Sequence, residues 1–330
     1  MSKFATVVIP FAYTRRWGQI VISSLKKWKN ERDFDILVMN NSPEVDAIKV
    51  ITDTELGEGV KVHTPSRPEM RWHGGSLDTA ISMVETPYFF SLETDCTIEK
   101  DGWLDWYAEY LQDEYTAMVG WYWQQAPDVD DERHYINSSA TLYRTALLRR
   151  LWKECTENRD EAISYGMNCE KRMNHERTMQ MISNGEIGPF SDSRGFFMVD
   201  YPYPKPDKWW MEPGAWLYGR VKNQYQCIKV PGRIIMNPQG MQPEYNHNYY
   251  GDLAADPYVK HHWGGSVSHN YEKQMVSVQW EKEALEWWLR RENDLWEQWV
   301  PEDVREHSLR EGLVPSLEEE IAYAKSRTEP

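Results

Sequence analysis

The strongest constraint on the fold is an alternation of apolar runs and amphipathic segments through roughly the first 110 residues. Short apolar runs predict strands at 5–10, 34–39, 60–63 and 88–92. Between the last two runs, Leu77, Ala80, Ile81 and Val84 recur at the spacing of one helix face. This alternation predicts βαβ units around a parallel sheet. Asp101 is expected to cap the helix that follows the fourth strand.

The pattern changes after residue 115. Residues 116–144 predict strands around a polar loop, and residues 168–183 predict a helix. From about Tyr271 the chain is charged and helical, with tryptophans on one stripe, so we expect this tail to pack back on the body. Residues 1–268 are predicted to form one domain with two halves, 1–115 and 116–268. Residues 269–330 are predicted to form a helical extension.

Composition narrows the possible partners. The formal net charge of −15 disfavours unaided binding to nucleic acid or to an anionic membrane. No stretch approaches 18 apolar residues, so we expect no membrane span, and Arg15 and Arg16 follow the first apolar run instead of preceding it as in a signal peptide. The four cysteines show no CxxC pairing and indicate free thiols in a reducing compartment, which favours the cytoplasm.

Two carboxylates, Glu93 and Asp95, directly follow the fourth apolar run. Side chains two residues apart on an extended segment point the same way. Ligands of parallel α/β sheets bind beyond the carboxyl ends of the strands, where this pair and the two asparagines after the second strand, Asn40 and Asn41, are expected. Such a pair suits Mg²⁺ or Mn²⁺, which takes one or two carboxylates together with phosphate oxygens and water. The alternative is a pair of solvated loop carboxylates.

Four segments resemble the nucleotide-sugar-dependent glycosyltransferases of GT-A fold, especially family two. They are "FATVVIPFAYTRRWGQIVISSL", "FDILVMNNSP", "RWHGGSLDTAISMVETPYFFSLETDCTI" and "NSSATLYRTALLRRL". The resemblance covers about residues 4–182, with a further likeness at 258–266. It implies an α/β fold of GT-A type, Rossmann-like, with a mostly parallel sheet flanked by helices and here followed by the helical extension. It also implies metal-dependent transfer of a hexosyl or pentosyl group from a nucleotide sugar to an acceptor hydroxyl.

The resemblance also implies a donor site. Glu93 and Asp95 match the DXD motif, whose metal bridges the diphosphate, and Asp95 is the expected direct ligand because Glu stands at the first position. Asn40 and Asn41 stand where many members carry an acidic contact to base or ribose, and a UDP-sugar is the favoured donor. The full predicted donor set is Pro10, Phe11, Tyr13, Asn40, Asn41, Arg71, Gly75, Asp78, Glu93, Thr94 and Asp95.

The acceptor side needs a base. On a helix, Cys169, Met173 and Glu176 would share a face, so Glu176 would lie on an apolar stripe where its pKa could rise. Glu176 also resembles the acidic position of the family's "ED" motif, although His175 stands where a second acid is common. Glu170 and Asp200 are the alternative bases. The structural alternative is that Glu176 is a surface glutamate paired with Lys or Arg.

Two further segments are candidates. "YVKHHWGGS", residues 258–266, resembles the place where many GT-A enzymes bring a late histidine to the metal, and strand alternation would point one histidine inward; we favour His262 over His261. Trp209 and Trp210 could stack on an acceptor sugar or fill the core. The expected acceptor is a carbohydrate or small molecule, with a modified DNA base disfavoured by the charge.

Two other classes remain. A nucleotidyltransferase shares a similar architecture and metal, but the region of the first strand lacks a Gly-rich phosphate loop followed by Arg and Lys. A non-catalytic carbohydrate-binding protein would explain the 17 tryptophans but not the acidic pair.

Overall fold

The structure is a computed structural model. It describes residues 3–12, 15–42, 48–66, 73–111, 113–123, 135–136, 138–150, 173–174, 208–209, 218, 221–235, 247–250, 256–262 and 279–328.

The strands are, in chain order, β1 (Ala5–Phe11), β2 (Phe34–Asn40), β3 (Val60–His63), β4 (Tyr88–Leu92), β5 (Cys96–Ile98), β6 (Thr116–Gly120), β7 (Tyr122–Trp123), β8 (Tyr135–Ile136), β9 (Ala140–Arg144), β10 (Met173–Asn174), β11 (Lys208–Trp209), β12 (Gln226–Lys229), β13 (Gly232–Ile235), β14 (His247–Tyr250) and β15 (Val259–His261). The helices are α1 (Arg15–Lys27), α2 (Lys49–Thr52), α3 (His73–Met83), α4 (Trp103–Glu109), α5 (Gln279–Trp299), α6 (Glu302–Arg310) and α7 (Leu317–Thr328), with a 3₁₀ turn at Glu55–Gly57.

The main sheet has the strand order β12-β6-β9-β4-β1-β2-β3 among the described residues. The pairs β1–β2, β1–β4, β2–β3 and β12–β6 are parallel, whereas β9 runs antiparallel to both β4 and β6. The expected α/β fold with a mostly parallel sheet is therefore confirmed. β1 lies inside the sheet between β4 and β2, and all seven of its residues are buried, which explains why its sequence is almost wholly apolar.

A second sheet has the order β13-β14-β15-β5, with antiparallel pairing throughout. Its edge strand β5 starts four residues after β4 ends, so it continues the chain directly from the main sheet. β15 pairs with β5 through the contacts Val259 to Ile98, Lys260 to Thr97 and His261 to Cys96. This pairing brings a late segment of the chain to the end of β4.

The C-terminal helices pack on α1, as the tail was expected to do. The buried side chain of Gln19 in α1 donates to Ser308 Oγ of α6 at 2.8 Å and accepts from Trp296 Nε1 of α5 at 2.6 Å. Arg16 forms a buried ion pair with Glu320 of α7 and donates to the carbonyl of Pro315 at 2.6 Å. Helix α1 therefore holds the sheet on one side and the three last helices on the other.

Two local predictions are wrong. Asp101 does not cap α4: Gly102 precedes that helix with a φ of 72°, and Asp101 Oδ1 accepts from the backbone N–H of Lys29 at 2.6 Å. Met173 and Asn174 form a strand paired with Lys208 and Trp209, so no helix runs unbroken from 168 to 183. The helical phase that placed Cys169, Met173 and Glu176 on one face is wrong for this reason.

Within the described part of the chain, every helix is too short or too polar to cross a bilayer.

Candidate functional site

The site lies where β1, β2 and β4 end. Phe11, the last residue of β1, pairs with Asn40, the last residue of β2, and the next backbone N–H, of Asn41, donates to the Phe11 carbonyl at 2.7 Å. Parallel strands end at the same edge of a sheet, so the turn after β4 opens beside these two tips. That turn carries Glu93 and Asp95.

The turn after β4 is held by backbone hydrogen bonds. The Glu93 N–H donates to the Ser139 carbonyl at 2.8 Å, and the Cys96 N–H donates to the Glu93 carbonyl at 3.1 Å. The chain then enters β5, whose partner β15 places His261 opposite Cys96. The two carboxylates and His261 therefore meet because the turn that carries the carboxylates connects β4 of the main sheet to β5 of the second sheet, and β5 pairs with β15.

His261 lies between the two carboxylates. Its Nε2 atom is 3.1 Å from Glu93 Oε2 and 3.1 Å from Asp95 Oδ1. A second histidine, His73 at the start of α3, has its Nε2 atom 3.8 Å from Glu93 Oε1. The side chain of His261 is 9% exposed, and those of Asp95 and Glu93 are 14% and 24% exposed, so the carboxylates remain open to a ligand while the imidazole is enclosed.

Charge coupling within this group is strong. Burial alone would lower the pKa of His261, but the carboxylates of Asp95 and Glu93 outweigh it and raise that pKa to about 10. Burial would raise the pKa of Glu93, but hydrogen bonding and attraction from His261, with a further contribution from His73, lower it. His261 is therefore protonated at neutral pH when no other cation neutralises the pair.

The residues present fit a divalent cation. Cis ligands of an octahedral ion at about 2.1 Å lie roughly 3 Å apart, which matches the 3.1 Å between Asp95 Oδ1 and His261 Nε2. Cys96 has its sulfur within 4.8 Å of both donor atoms. Its thiol is buried and contacts the Ser139 carbonyl at 3.6 Å, and burial, followed by the nearby Asp95 and Glu93, raises its pKa well above the usual value. A protonated thiol is a poor ligand, so the fit rests on Asp95 and His261.

His262, the histidine favoured from the sequence as the ligand, has other partners. Its Nε2 atom lies 2.7 Å from Thr97 Oγ1, and its backbone N–H donates to the Asp95 carbonyl at 2.8 Å. Its ring packs against Trp17 of α1 with 5.5 Å between the centroids. The structure brings His261, and not His262, to the two carboxylates.

Several predicted donor residues lie at the same edge. Asn40 Nδ2 donates to Thr64 Oγ1 and Asn41 Nδ2 donates to Ser76 Oγ, each at 3.2 Å. The Asn41 Oδ1 atom is buried without a hydrogen-bond partner in the described region. Gly75 and Asp78 lie on α3, and Asp78 is buried. Thr94 is half-buried in the turn between its two acidic neighbours.

The remaining predicted residues are buried in β1, belong to β11 or fall outside the described residues. Pro10 and Phe11 are buried in β1, and the Phe11 ring packs on Gly18 of α1, so neither side chain is open to a ligand. Trp209 belongs to β11, which pairs with β10. Tyr13, Arg71, Glu170, Glu176, Asp200 and Trp210 lie outside the described residues.

Sequence reasoning did not single out His73. The signal was present, because a histidine directly before Gly74 and Gly75 starts the helix that leads into β4. It also passed over Thr97, which lies two residues after Asp95 on β5 and binds His262.

Fold and site together define a class. A mostly parallel sheet of this order, a short second sheet returning to the end of β4, and an acidic pair at that point fit an α/β domain of GT-A fold. Residues 6–169, just under half of the chain, match the family model of glycosyl transferase family 2. No curated protein matches the sequence.

Three solved structures each match less than half of this chain. TarS of S. aureus has 15% identity and a TM-score of 0.36, over 45% of this chain and 29% of that chain. The mannosyltransferase PcManGT of Pyrobaculum calidifontis, in complex with GDP-Man and Mn²⁺, has 12% identity and a TM-score of 0.38, over 46% and 47%. Glucosyl-3-phosphoglycerate synthase of Mycobacterium tuberculosis has 15% identity and a TM-score of 0.34, over 45% and 59%. The chain spans less than two thirds of each of these proteins.

Proposed function

We propose that this protein transfers a hexosyl or pentosyl group from a nucleotide sugar, with a UDP-sugar as the favoured donor, to a hydroxyl of a carbohydrate or small molecule. We further propose that the transfer depends on Mn²⁺ or Mg²⁺ held by Asp95 and His261, and that the protein acts in the cytoplasm. The single observation that carries the proposal is the position of His261 Nε2, 3.1 Å from both carboxylates of the acidic pair.

The ligand set supports a metal role for this group. A mixed imidazole and carboxylate pair suits Mn²⁺ better than Mg²⁺, which prefers oxygen ligands. A bound divalent cation would neutralise the charge that develops on a departing nucleoside diphosphate. The net charge of −15 repels a diphosphate at long range, and such a cation would offset that repulsion at the site.

The other polar groups at the edge support a donor pocket. The buried Asn41 Oδ1 atom is an acceptor without a hydrogen-bond partner in the described region, and a ligand N–H or O–H could satisfy it. Asn40 is held by Thr64 and by the Ser42 N–H, which donates to Asn40 Oδ1 at 3.1 Å. We assign these two amides to the nucleoside, and His73 to the region of the diphosphate beside Glu93.

On the acceptor side, we keep Glu176 as the proposed base, with Glu170 and Asp200 as alternatives. This assignment rests on the resemblance to the "ED" motif alone. Transfer with inversion requires that a carboxylate remove the proton of the acceptor hydroxyl as that oxygen attacks the anomeric carbon. Trp209 and Trp210 stay the proposed acceptor platform.

The test is a screen of nucleotide sugars for turnover with Mn²⁺ present. Release of nucleoside diphosphate supports a glycosyltransferase. In a parallel assay with nucleoside triphosphates and sugar 1-phosphates, release of pyrophosphate identifies a nucleotidyltransferase. Binding of a sugar without turnover of any donor would instead indicate a carbohydrate-binding protein.

Asp95→Asn should lower kcat/KM by at least about 100-fold, because it removes one ligand charge beside the diphosphate. The matched control is Asp53→Asn, which makes the same chemical change at a largely exposed carboxylate after α2. Full turnover by Asp95→Asn, or by the wild type in EDTA, would contradict metal dependence.

A further inference from the structure

Thr97 and His262 join the two strands that carry the proposed metal ligands. Asp95 directly precedes β5, and His261 ends β15. Each strand has three residues, so their ladder contains few hydrogen bonds. A pair this short is weakly specified in register by itself, and a slip by one residue would turn His261 away from the carboxylates.

Two additional bonds from His262 fix this register. The His262 N–H donates to the Asp95 carbonyl at 2.8 Å, which extends the ladder by one position on the side of the site. The His262 ring reaches Thr97 Oγ1 at 2.7 Å. Both residues are buried, at 1% and 0% exposure, so neither bond competes with water.

The direction of the side-chain bond follows from a third residue. The Thr97 hydroxyl donates its proton to Glu99 Oε1. Its oxygen must therefore accept from His262, so His262 Nε2 carries the hydrogen. The chain runs from His262 through Thr97 to Glu99, and each donor is matched by one acceptor.

Helix α1 supports this chain from behind. Trp17 is almost fully buried and packs against the His262 ring. On neighbouring positions of the same helix, Arg16 and Gln19 bind the C-terminal helices. The His262 ring is thus enclosed between the second sheet and a helix that other contacts hold in place.

We propose that Thr97 and His262 are positioning residues, a clamp that holds Asp95 and His261 at the separation a divalent cation requires. This inference rests on the proposed metal site. Neither residue contacts the ion; each acts through the backbone that carries a ligand. Partners of this kind typically change metal affinity by about 10–100-fold when they are removed.

The test measures Mn²⁺ affinity of the full-length protein directly, by calorimetry and by the EPR signal of free Mn²⁺. Thr97→Val keeps the shape of the side chain but removes the hydroxyl, and it should weaken Mn²⁺ binding by about 10–100-fold. Thr97→Ser restores the hydroxyl and should recover affinity to within about threefold of the wild type. With saturating Mn²⁺, kcat of Thr97→Val should approach that of the wild type.

The matched control is Thr6→Val, because Thr6 is also buried in a strand and bonds the Thr86 hydroxyl at 2.9 Å, away from the site. It should leave Mn²⁺ affinity unchanged. If Thr97→Val does not fold, His262→Gln serves as the test variant. Its amide can donate to Thr97, although the packing of the histidine ring is lost. His262→Gln should therefore bind Mn²⁺ more tightly than His262→Ala.

Unchanged affinity in folded Thr97→Val, or equal weakening in Thr97→Ser and Thr97→Val, would overturn the clamp. Equal affinity of His262→Gln and His262→Ala would do the same. A wild-type protein that binds no Mn²⁺ refutes the proposed metal site, and the clamp with it. That result is distinguishable because it precedes any comparison of variants.

Discussion

At the scale of single residues, the histidine between the carboxylates controls the charge of the site. With no metal bound, the proton on His261 neutralises part of the charge of Glu93 and Asp95. A cation bound by His261 Nε2 and Asp95 must displace that proton, because both need the same nitrogen lone pair. Metal binding should therefore release a proton and strengthen as the pH rises.

The same coupling makes stability depend on pH. The pKa of His261 rises from its ordinary 6.5 to about 10 on folding. The resulting stabilisation is fully present below pH 6.5 and is lost as the pH rises through about 10. In EDTA and below pH 6.5, the wild type should have a higher free energy of unfolding than His261→Gln. This difference should shrink by about 2–4 kcal/mol as the pH rises through about 10.

Urea unfolding at intervals from pH 6 to pH 10 measures this difference. His63→Gln, at the end of β3, is the control for loss of a half-buried histidine. A difference between the wild type and His261→Gln that stays constant across the window would contradict the coupling.

At the scale of elements, α7 forms a buried ion pair with α1 and an exposed ion pair with α5 within the part of the chain that the structure describes. Glu320 pairs with Arg16 of α1, and both side chains are almost fully enclosed. Lys325 of the same helix pairs with Glu286 of α5 at 2.6 Å in an exposed position. Breaking a buried pair leaves an uncompensated charge, whereas a pair in water is worth little.

Glu320→Gln should therefore destabilise the protein by about 3–5 kcal/mol, because the Arg16 guanidinium stays buried without its counter-charge. Glu286→Gln makes the same change on the exposed pair and should leave the denaturation midpoint almost unchanged. Urea unfolding of both variants measures this. Equal effects of the two changes would show that burial of the Arg16 pair does not matter for the attachment of α7.

The elements of the first half could be predicted from the sequence because their signals are local. β3 and β4 have the predicted bounds, and β1 and β2 each extend one residue further. The failures involve partners distant in sequence. Asp101 binds a backbone N–H 72 residues away in place of its own helix, and Met173 pairs with Trp209. Neither contact leaves a periodicity in the local sequence.

The site divides in the same way. Glu93 and Asp95 could be found because an acidic pair after an apolar run is a local pattern. The choice between His261 and His262 depends on the pairing of β15 with β5. These strands are distant in sequence, since the Thr97–His262 bond joins residues 165 positions apart. Alternation predicts that one of the two histidines faces the carboxylates. The register of β15 on β5, which places His261 opposite Cys96, decides which histidine it is.

At the scale of the whole molecule, charge and architecture are complementary. The chain carries a net charge of −15, and two of its carboxylates meet at the edge of the sheet, so a polyanionic donor would be repelled by the protein alone. One divalent cation reverses the local sign at that place and leaves the rest of the surface acidic. This arrangement would favour a small phosphorylated ligand over a long polyanion such as DNA.

The most direct measurement is anomalous diffraction from crystals soaked with Mn²⁺ and UDP. We expect one strong Mn²⁺ peak about 2.0–2.3 Å from both a carboxylate oxygen of Asp95 and Nε2 of His261, with diphosphate oxygens completing the shell. Crystals of His261→Gln under the same conditions should show a weaker peak or none. A peak bound through His262 or Cys96, or an ordered UDP with no Mn²⁺ beside Asp95, would contradict this expectation.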